Sequence, residues 1–167
     1  VAADAYDSID YAIDLALQKL TGKELYSNIF IGIDPGERPG IAIVGDDILL
    51  QKMQVEGPEN VAPEIKRFLK VYLSKDTCIR IGHGSMITRN RIINSLISLE
   101  IPIEIVDETR TTPSQQKRRC VRDGEAAAAI ALLSGGRVQT TLPIETSRGA
   151  IKNVQKRSRQ LSEGRFT

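Results

Sequence analysis

The chain has 167 residues, 41% of them hydrophobic and 26% charged, with two cysteines, four tyrosines, three phenylalanines and no tryptophan. This is the balance of one globular domain with appendages, large enough to bury a core that Ile, Leu, Val and Ala must fill. No apolar run approaches the roughly 20 residues that span a bilayer, the first residues lack the pattern of a secretory leader, and Cys78 and Cys120 lie far apart without metal-ligand spacing. A cytoplasmic protein with reduced thiols is the expectation.

The first 26 residues carry Ile9, Ala12, Ile13, Ala16, Leu17 and Leu20 at helical spacing, closed by Thr21-Gly22, which predicts an amphipathic helix appended to the main domain. The Ile-rich run Asn28 to Asp34, bounded by Pro35-Gly36, predicts a buried strand. A Gly/Pro-rich turn from Pro35 to Gly40 leads to a second run, Ile41 to Val44. Gly45-Asp46-Asp47 then turns the chain into a third, Ile48 to Gln54, so that the two form an antiparallel hairpin. The period changes at Val61, Ile65, Phe68, Leu69 and Leu73, which mark a helix. Thr77 to Ile81 predicts a fourth strand closed by Gly82-His83-Gly84, Ile87 to Leu99 a helix, and Ile103 to Asp107 a fifth strand. An Ala-rich helix follows from about Asp123 to Leu133, with Gly135-Gly136 as its stop. The expected fold is a mixed α/β sheet flanked by helices, with residues 27–139 as the domain, 1–26 as an added helix and 140–167 as a basic C-terminal tail.

Charge is unevenly spread. From Thr146 to Thr167 there are six basic residues and one acidic, a net +5, which leaves −3 for the rest of a chain whose total is +2. A basic tail on a mildly acidic body suggests a phosphate-rich partner. Arg148, Lys152, Lys156 and Arg159 recur at helical spacing and could track a phosphate backbone, although a solvated tail explains them equally well. Lys117, Arg118, Arg119 and Arg122 form a second basic cluster. Neither is interleaved with aromatic residues, which disfavours readout of splayed bases and leaves backbone and shape recognition of a folded or branched nucleic acid.

Asp34 ends the first strand, Asp107-Glu108 end the fifth, and Asp123 opens the last helix. Ligands collect beyond the carboxyl ends of strands in open α/β sheets. If strands one and five were parallel neighbours, their terminal acids would converge there, and clustered carboxylates are most simply reconciled by a hard divalent cation. Each acid also has a plainer reading: Asp34 before Pro-Gly suits a turn, Asp107 and Glu108 suit a solvated loop, and Asp123 suits a helix N-cap.

Three motifs in order resemble one family. Ile31-Gly32-Ile33-Asp34-Pro35-Gly36, with Gly40 beyond, looks like the opening strand of RuvC-type Holliday-junction resolvases and their YqgF-type relatives. Val106-Asp107-Glu108-Thr109-Arg110-Thr111-Thr112 is similar to the YqgF-type acidic signature, and Asp123-Gly124-Glu125-Ala126-Ala127 resembles the closing helix. The resemblance covers Asn28 to Leu133 and implies an RNase H-like fold, with Asp34, Glu108 and Asp123 as catalytic ligands of Mg²⁺ or Mn²⁺. Asp107 and Arg110 would assist, and a two-fold junction substrate would favour a homodimer. The chain departs from the pattern twice. Thr109 stands where an Arg follows the Glu, and His83 stands where RuvC-type enzymes place a Glu. His83 could position water or move a proton, or be an ordinary loop residue. The expected function is a divalent-metal-dependent endonuclease acting on structured DNA or RNA. The alternative is a non-catalytic nucleic-acid-binding adaptor that keeps the fold. An actin or sugar-kinase relationship is disfavoured, because the chain is too short for paired domains and has no second phosphate loop.

Overall fold

The computed structural model describes residues 9–20, 22–23, 25–107 and 125–144. It is an α/β fold with a six-stranded mixed sheet in the order β3-β2-β1-β4-β5-β6, flanked by helices. The strands are β1 (Tyr26–Asp34), β2 (Gly40–Gly45), β3 (Ile48–Gln54), β4 (Ser74–Gly82), β5 (Ile103–Val106) and β6 (Gly136–Val138). The helices are α1 (Ile9–Leu20), α2 (Val61–Val71), α3 (Met86–Leu96) and α4 (Glu125–Ala131), with 3-10 turns at Pro58–Asn60 and Ile97–Leu99.

The first three strands form an antiparallel meander, as the brief polar turns require. Asp46 and Asp47, which alone join β2 to β3, both take positive φ (46° and 66°), as a two-residue hairpin turn of mirror-image type I demands. The Asp46 carboxylate also folds back onto the start of β1. It accepts the backbone N–H of Asn28 (2.9 Å) and of Ser27 (3.1 Å) and pairs with Lys23. The Lys23 ammonium, together with these two backbone donors, holds the Asp46 carboxyl down at about 2. β3 forms one edge of the sheet, and a register shift between Ile43 and Val44 places a bulge there.

β1 pairs with β4, and β4 with β5, in parallel. Strand side chains alternate between faces. Ile29, Ile31 and Ile33 of β1 and Ile79 and Ile81 of β4 enter one core with Ile65 and Phe68 of α2 and Ile92, Ile93 and Leu96 of α3. The opposite face carries Gly32, Ala42, Val44 and Arg80 under α4, whose Ala127, Ile130 and Ala131 are buried. The backbone of α4 lies directly on β1. A Cβ on Gly32 would stand 1.9 Å from the Ala127 carbonyl oxygen and 2.7 Å from the Ala131 nitrogen, so only glycine fits. Arg80, 9% exposed, secures the other end of this packing. Its guanidinium lies 3.9 Å from the centre of the Phe30 ring, donates to Glu104 Oε2 (3.1 Å) and caps the last turn of α4 by donating to the Ala131 carbonyl (2.7 Å).

Three features differ from the sequence expectation. β4 stands between β1 and β5, so these two strands are parallel but not neighbours. α4 ends at Ala131, and Gly136 does not merely stop it: it opens β6, whose three residues pair antiparallel with β5. A segment reading Gly-Arg-Val is too short and too glycine-led to signal a strand, and its conformation comes from the edge it joins. In α1 the apolar stripe does not face the domain. Ala12 and Gln18 are buried, whereas Ile9, Ile13, Leu17 and Leu20 are exposed. Beyond β6, Leu142 exchanges hydrogen bonds of 2.7 and 2.8 Å with the Asn94 side chain, and Asn90 donates to the Pro143 carbonyl (2.7 Å), which fixes residues 142–143 along α3.

Gly32→Ala should cost about 3 kcal/mol or more, since backbone rather than a pliable side chain occupies the space, and urea unfolding measures the loss. Asp46 ionises more readily in the folded chain than its ordinary 3.8, so its stabilisation is whole above about pH 4 and fades as pH falls toward 2. Asp46→Asn should therefore be less stable than wild type at neutral pH, and the difference between their urea midpoints should close as the pH is lowered through that interval.

Candidate functional site

The parallel strands deliver the chemistry-bearing residues to one rim. The register sets Ile33 beside Ile81 and Gly82 beside Val106, which places Asp34, Gly82 and Val106 level at the carboxyl ends of β1, β4 and β5. His83 and Asp107 follow one residue further on. Because β4 intervenes, the ends of β1 and β5 are two strand spacings, about 10 Å, apart. That is too far for Asp34 and Asp107 to share one ion directly, unless later residues of the β5 loop reach inward. The anticipated convergence of neighbouring strand acids is thus replaced by a wider rim, with the 82–84 turn between its two acidic ends.

Asp34 alternates with Gly32 and so belongs to the face that α4 covers. It is half-buried, and its carboxylate makes no ion pair or side-chain hydrogen bond with another described residue. The turn expected at Pro35-Gly36 is present, for Gly36 N donates to the Asp34 carbonyl at 3.0 Å. That turn uses the backbone and leaves the Asp34 side chain uncommitted among the described residues. Glu125, at the start of α4, lies within one turn of Ala127 and hence near the Gly32 crossing.

The loop bearing His83 is pressed onto the loop that follows Asp34. Gly84 takes φ +27°, and a Cβ there would come 2.6 Å from Pro35 Cγ and 2.9 Å from the Pro35 carbonyl oxygen. From below, Arg89 in the first turn of α3 donates to the His83 carbonyl (3.1 Å) and to Asn90 Oδ1 (3.3 Å). Burial lowers the pKa of the Arg89 guanidinium from its ordinary value. The His83 side chain is exposed. Gly84 and Arg89 were not identifiable as site-builders from the sequence. The one acts through a close tertiary approach, and the other looks like a single basic residue in an ordinary helix.

Asp107 is exposed at the end of β5. Glu108, Arg110, Asp123 and the basic residues Lys117, Arg118, Arg119, Arg122, Arg148, Lys152, Lys156 and Arg159 all lie outside the described residues. Among the described residues no group of three His, Cys, Asp or Glu side chains is placed to hold a metal ion, and no helix is long and apolar enough to cross a membrane. Cys78 is half-buried, and its burial, reinforced by the Glu104 carboxylate, pushes its thiol up. Comparison with protein-family models, curated proteins and solved structures finds no match to this chain.

His83 is the only histidine in the sequence, so its ring reports on the rim without ambiguity. Mn²⁺ bound at the strand ends should broaden the His83 ring proton resonances, and Asp34→Asn should relieve that broadening at the same Mn²⁺ concentration. Broadening that persists in the variant would place the ion elsewhere.

Proposed function

We propose that the chain is an RNase H-like domain acting as a divalent-metal-dependent endonuclease on structured or branched nucleic acid. The observation that carries this reading is the setting of Asp34. It ends a central strand that pairs antiparallel on one edge and parallel on the other, and its half-buried carboxylate is uncommitted among the described residues. A three-stranded antiparallel unit joined to parallel strands is the sheet that the RuvC and YqgF resemblance implies. The Ala-rich helix of the third motif lies against that strand two residues before Asp34, which further supports the reading.

The donor chemistry suits a hard cation, because a carboxylate at a strand end, with no competing partner among the described residues, offers oxygen. Asp34, Glu108 and Asp123 would hold Mg²⁺ or Mn²⁺, which when bound acidifies a water nucleophile and offsets charge on the leaving oxygen. Arg110 and the Lys117–Arg122 cluster would grip phosphate. His83, presented between the two acidic ends of the rim, could donate a proton to the leaving group or orient the attacking water. The tail residues Arg148, Lys152, Lys156 and Arg159 would track the backbone of the nucleic acid, and binding should weaken steeply with salt.

An end-labelled panel of four-way junction, flap, RNA hairpin and plain duplex, incubated with Mg²⁺ or Mn²⁺, tests the proposal. Metal-dependent cutting that Asp34→Asn lowers by at least about a hundredfold is the expected outcome. Cutting that survives the substitution would overturn the assignment of Asp34. Binding at low salt without cutting would favour the adaptor alternative, for which the non-carboxylate His83 just beyond the end of β4 already speaks. Neither binding nor cutting would remove nucleic acid as the partner.

A further inference from the structure

Arg89 is 9% exposed, and no carboxylate meets it among the described residues. Arg80, buried to the same degree, is neutralised by Glu104. A guanidinium carries five N–H donors. In Arg89, Nε donates to Asn90 Oδ1 (3.3 Å) and Nη1 to the His83 carbonyl (3.1 Å), both neutral acceptors, so three of the five remain unmet. Nη2 is among them, and it is not sealed in the interior. Among the described residues, only Tyr26 Oη is a fully buried side-chain polar atom without a partner. A cation withdrawn from water is costly until an opposite charge meets it, and burial already lowers the pKa of this guanidinium.

The unmet donors stand at the amino end of α3. Helical side chains tilt toward the N-terminus of their helix, and the bond from Arg89 to the His83 carbonyl follows that direction. Ser85, which precedes the helix, makes no side-chain cap, and the first turn holds no acidic residue. The Arg89 backbone N–H is the first to bond back, to the Ser85 carbonyl at 2.8 Å. Those of Met86, Ile87 and Thr88 have no acceptor among the described residues. We propose that the Arg89 guanidinium and the amino end of α3 together form a phosphate site, filled by a phosphodiester group of the nucleic acid. The planar fork of arginine matches phosphate oxygens, and free amides at a helix N-terminus add directed donors and a favourable dipole. The His83 turn that Arg89 holds is pressed onto Pro35, so a strand anchored here would run beside the Asp34 end of β1. The site itself stands on Arg89 and α3; its filling by a phosphodiester rests on the functional reading above.

Titration of the isotope-labelled full chain with inorganic phosphate, followed by nuclear magnetic resonance, provides the test. The amides of Met86, Ile87 and Thr88 and the Arg89 Nε–H should shift saturably, while sodium chloride at equal ionic strength leaves them in place. Arg89→Gln should weaken phosphate binding at least about tenfold, because charge-assisted bonds are lost. Arg89→Lys should recover part of the affinity, since it keeps the charge without the fork. If Arg89 only braces the His83 turn, Arg89→Gln will lose stability yet bind phosphate as wild type does, which overturns the proposal. So would wild-type shifts confined to other residues, or none at all, a result that needs no variant to fold. A short DNA duplex should move the same resonances and be displaced by phosphate. Phosphate binding here without any response to the duplex would overturn the phosphodiester as the source. A chain that cuts nothing can still pass the phosphate titration, and one that fails it can still show cutting that depends on Asp34. The two readings therefore fail separately.

Discussion

Gly32 has no side chain, and the space where one would stand is filled by the backbone of α4. Few contacts in the fold are so unforgiving, because neither partner can turn aside as a side chain can. Through it the second layer of the protein is set on the first. β1 pairs along both edges, is covered on one face by the core shared with α2 and α3, and is covered on the other by α4. Arg80, lying across Phe30 and reaching both Glu104 and the end of α4, fixes that helix at its far end. Asp34 therefore emerges from the most constrained strand of the sheet, and its position is dictated by packing on every side rather than by its own contacts.

Much of this was legible in the residues. Ile-rich runs broken by Asp-Pro-Gly, Gly-Asp-Asp and Gly-His-Gly gave the first five strands, because β-branched residues favour the pleated surface and these turns end it. The Asp46-Asp47 hairpin follows from local chemistry alone. What was not legible depends on position in space. A crossover can return a strand to either side of its predecessor, so nothing in the runs themselves placed β4 between β1 and β5. β6 exists because an edge was free to pair. The exposed stripe of α1 has the composition of a core-facing one, and periodicity records that a helix has an apolar side without saying what that side meets. At the site, Asp34 could be located because a polar residue ending a buried run stands out. The roles of Gly84 and Arg89 arise from contacts with Pro35 and His83 that no local pattern encodes.

The rim itself is organised by two loops that support each other. The turn after Asp34 is closed by its own backbone, and the turn bearing His83 rests on it through Gly84 and Pro35. Arg89 holds the second turn from within α3. Asp34 and the His83 imidazole are thereby presented on short, mutually braced segments. Sites built on such supports hold their geometry better than sites on long free loops.

The parallel pairing of β1 with β4 also has a consequence for how the protein is made. Every β1 residue in that ladder meets a partner 48 positions later in the chain. The meander of β1, β2 and β3 involves near neighbours and can close as soon as it leaves the ribosome. Its inner edge, rich in isoleucine, then stays unpaired until β4 and the helices that cover it have been synthesised. An open apolar edge of this kind invites pairing with another nascent chain. Translation speed between Gln54 and Gly82, rather than the stability of the finished fold, would then govern how much of the protein escapes aggregation.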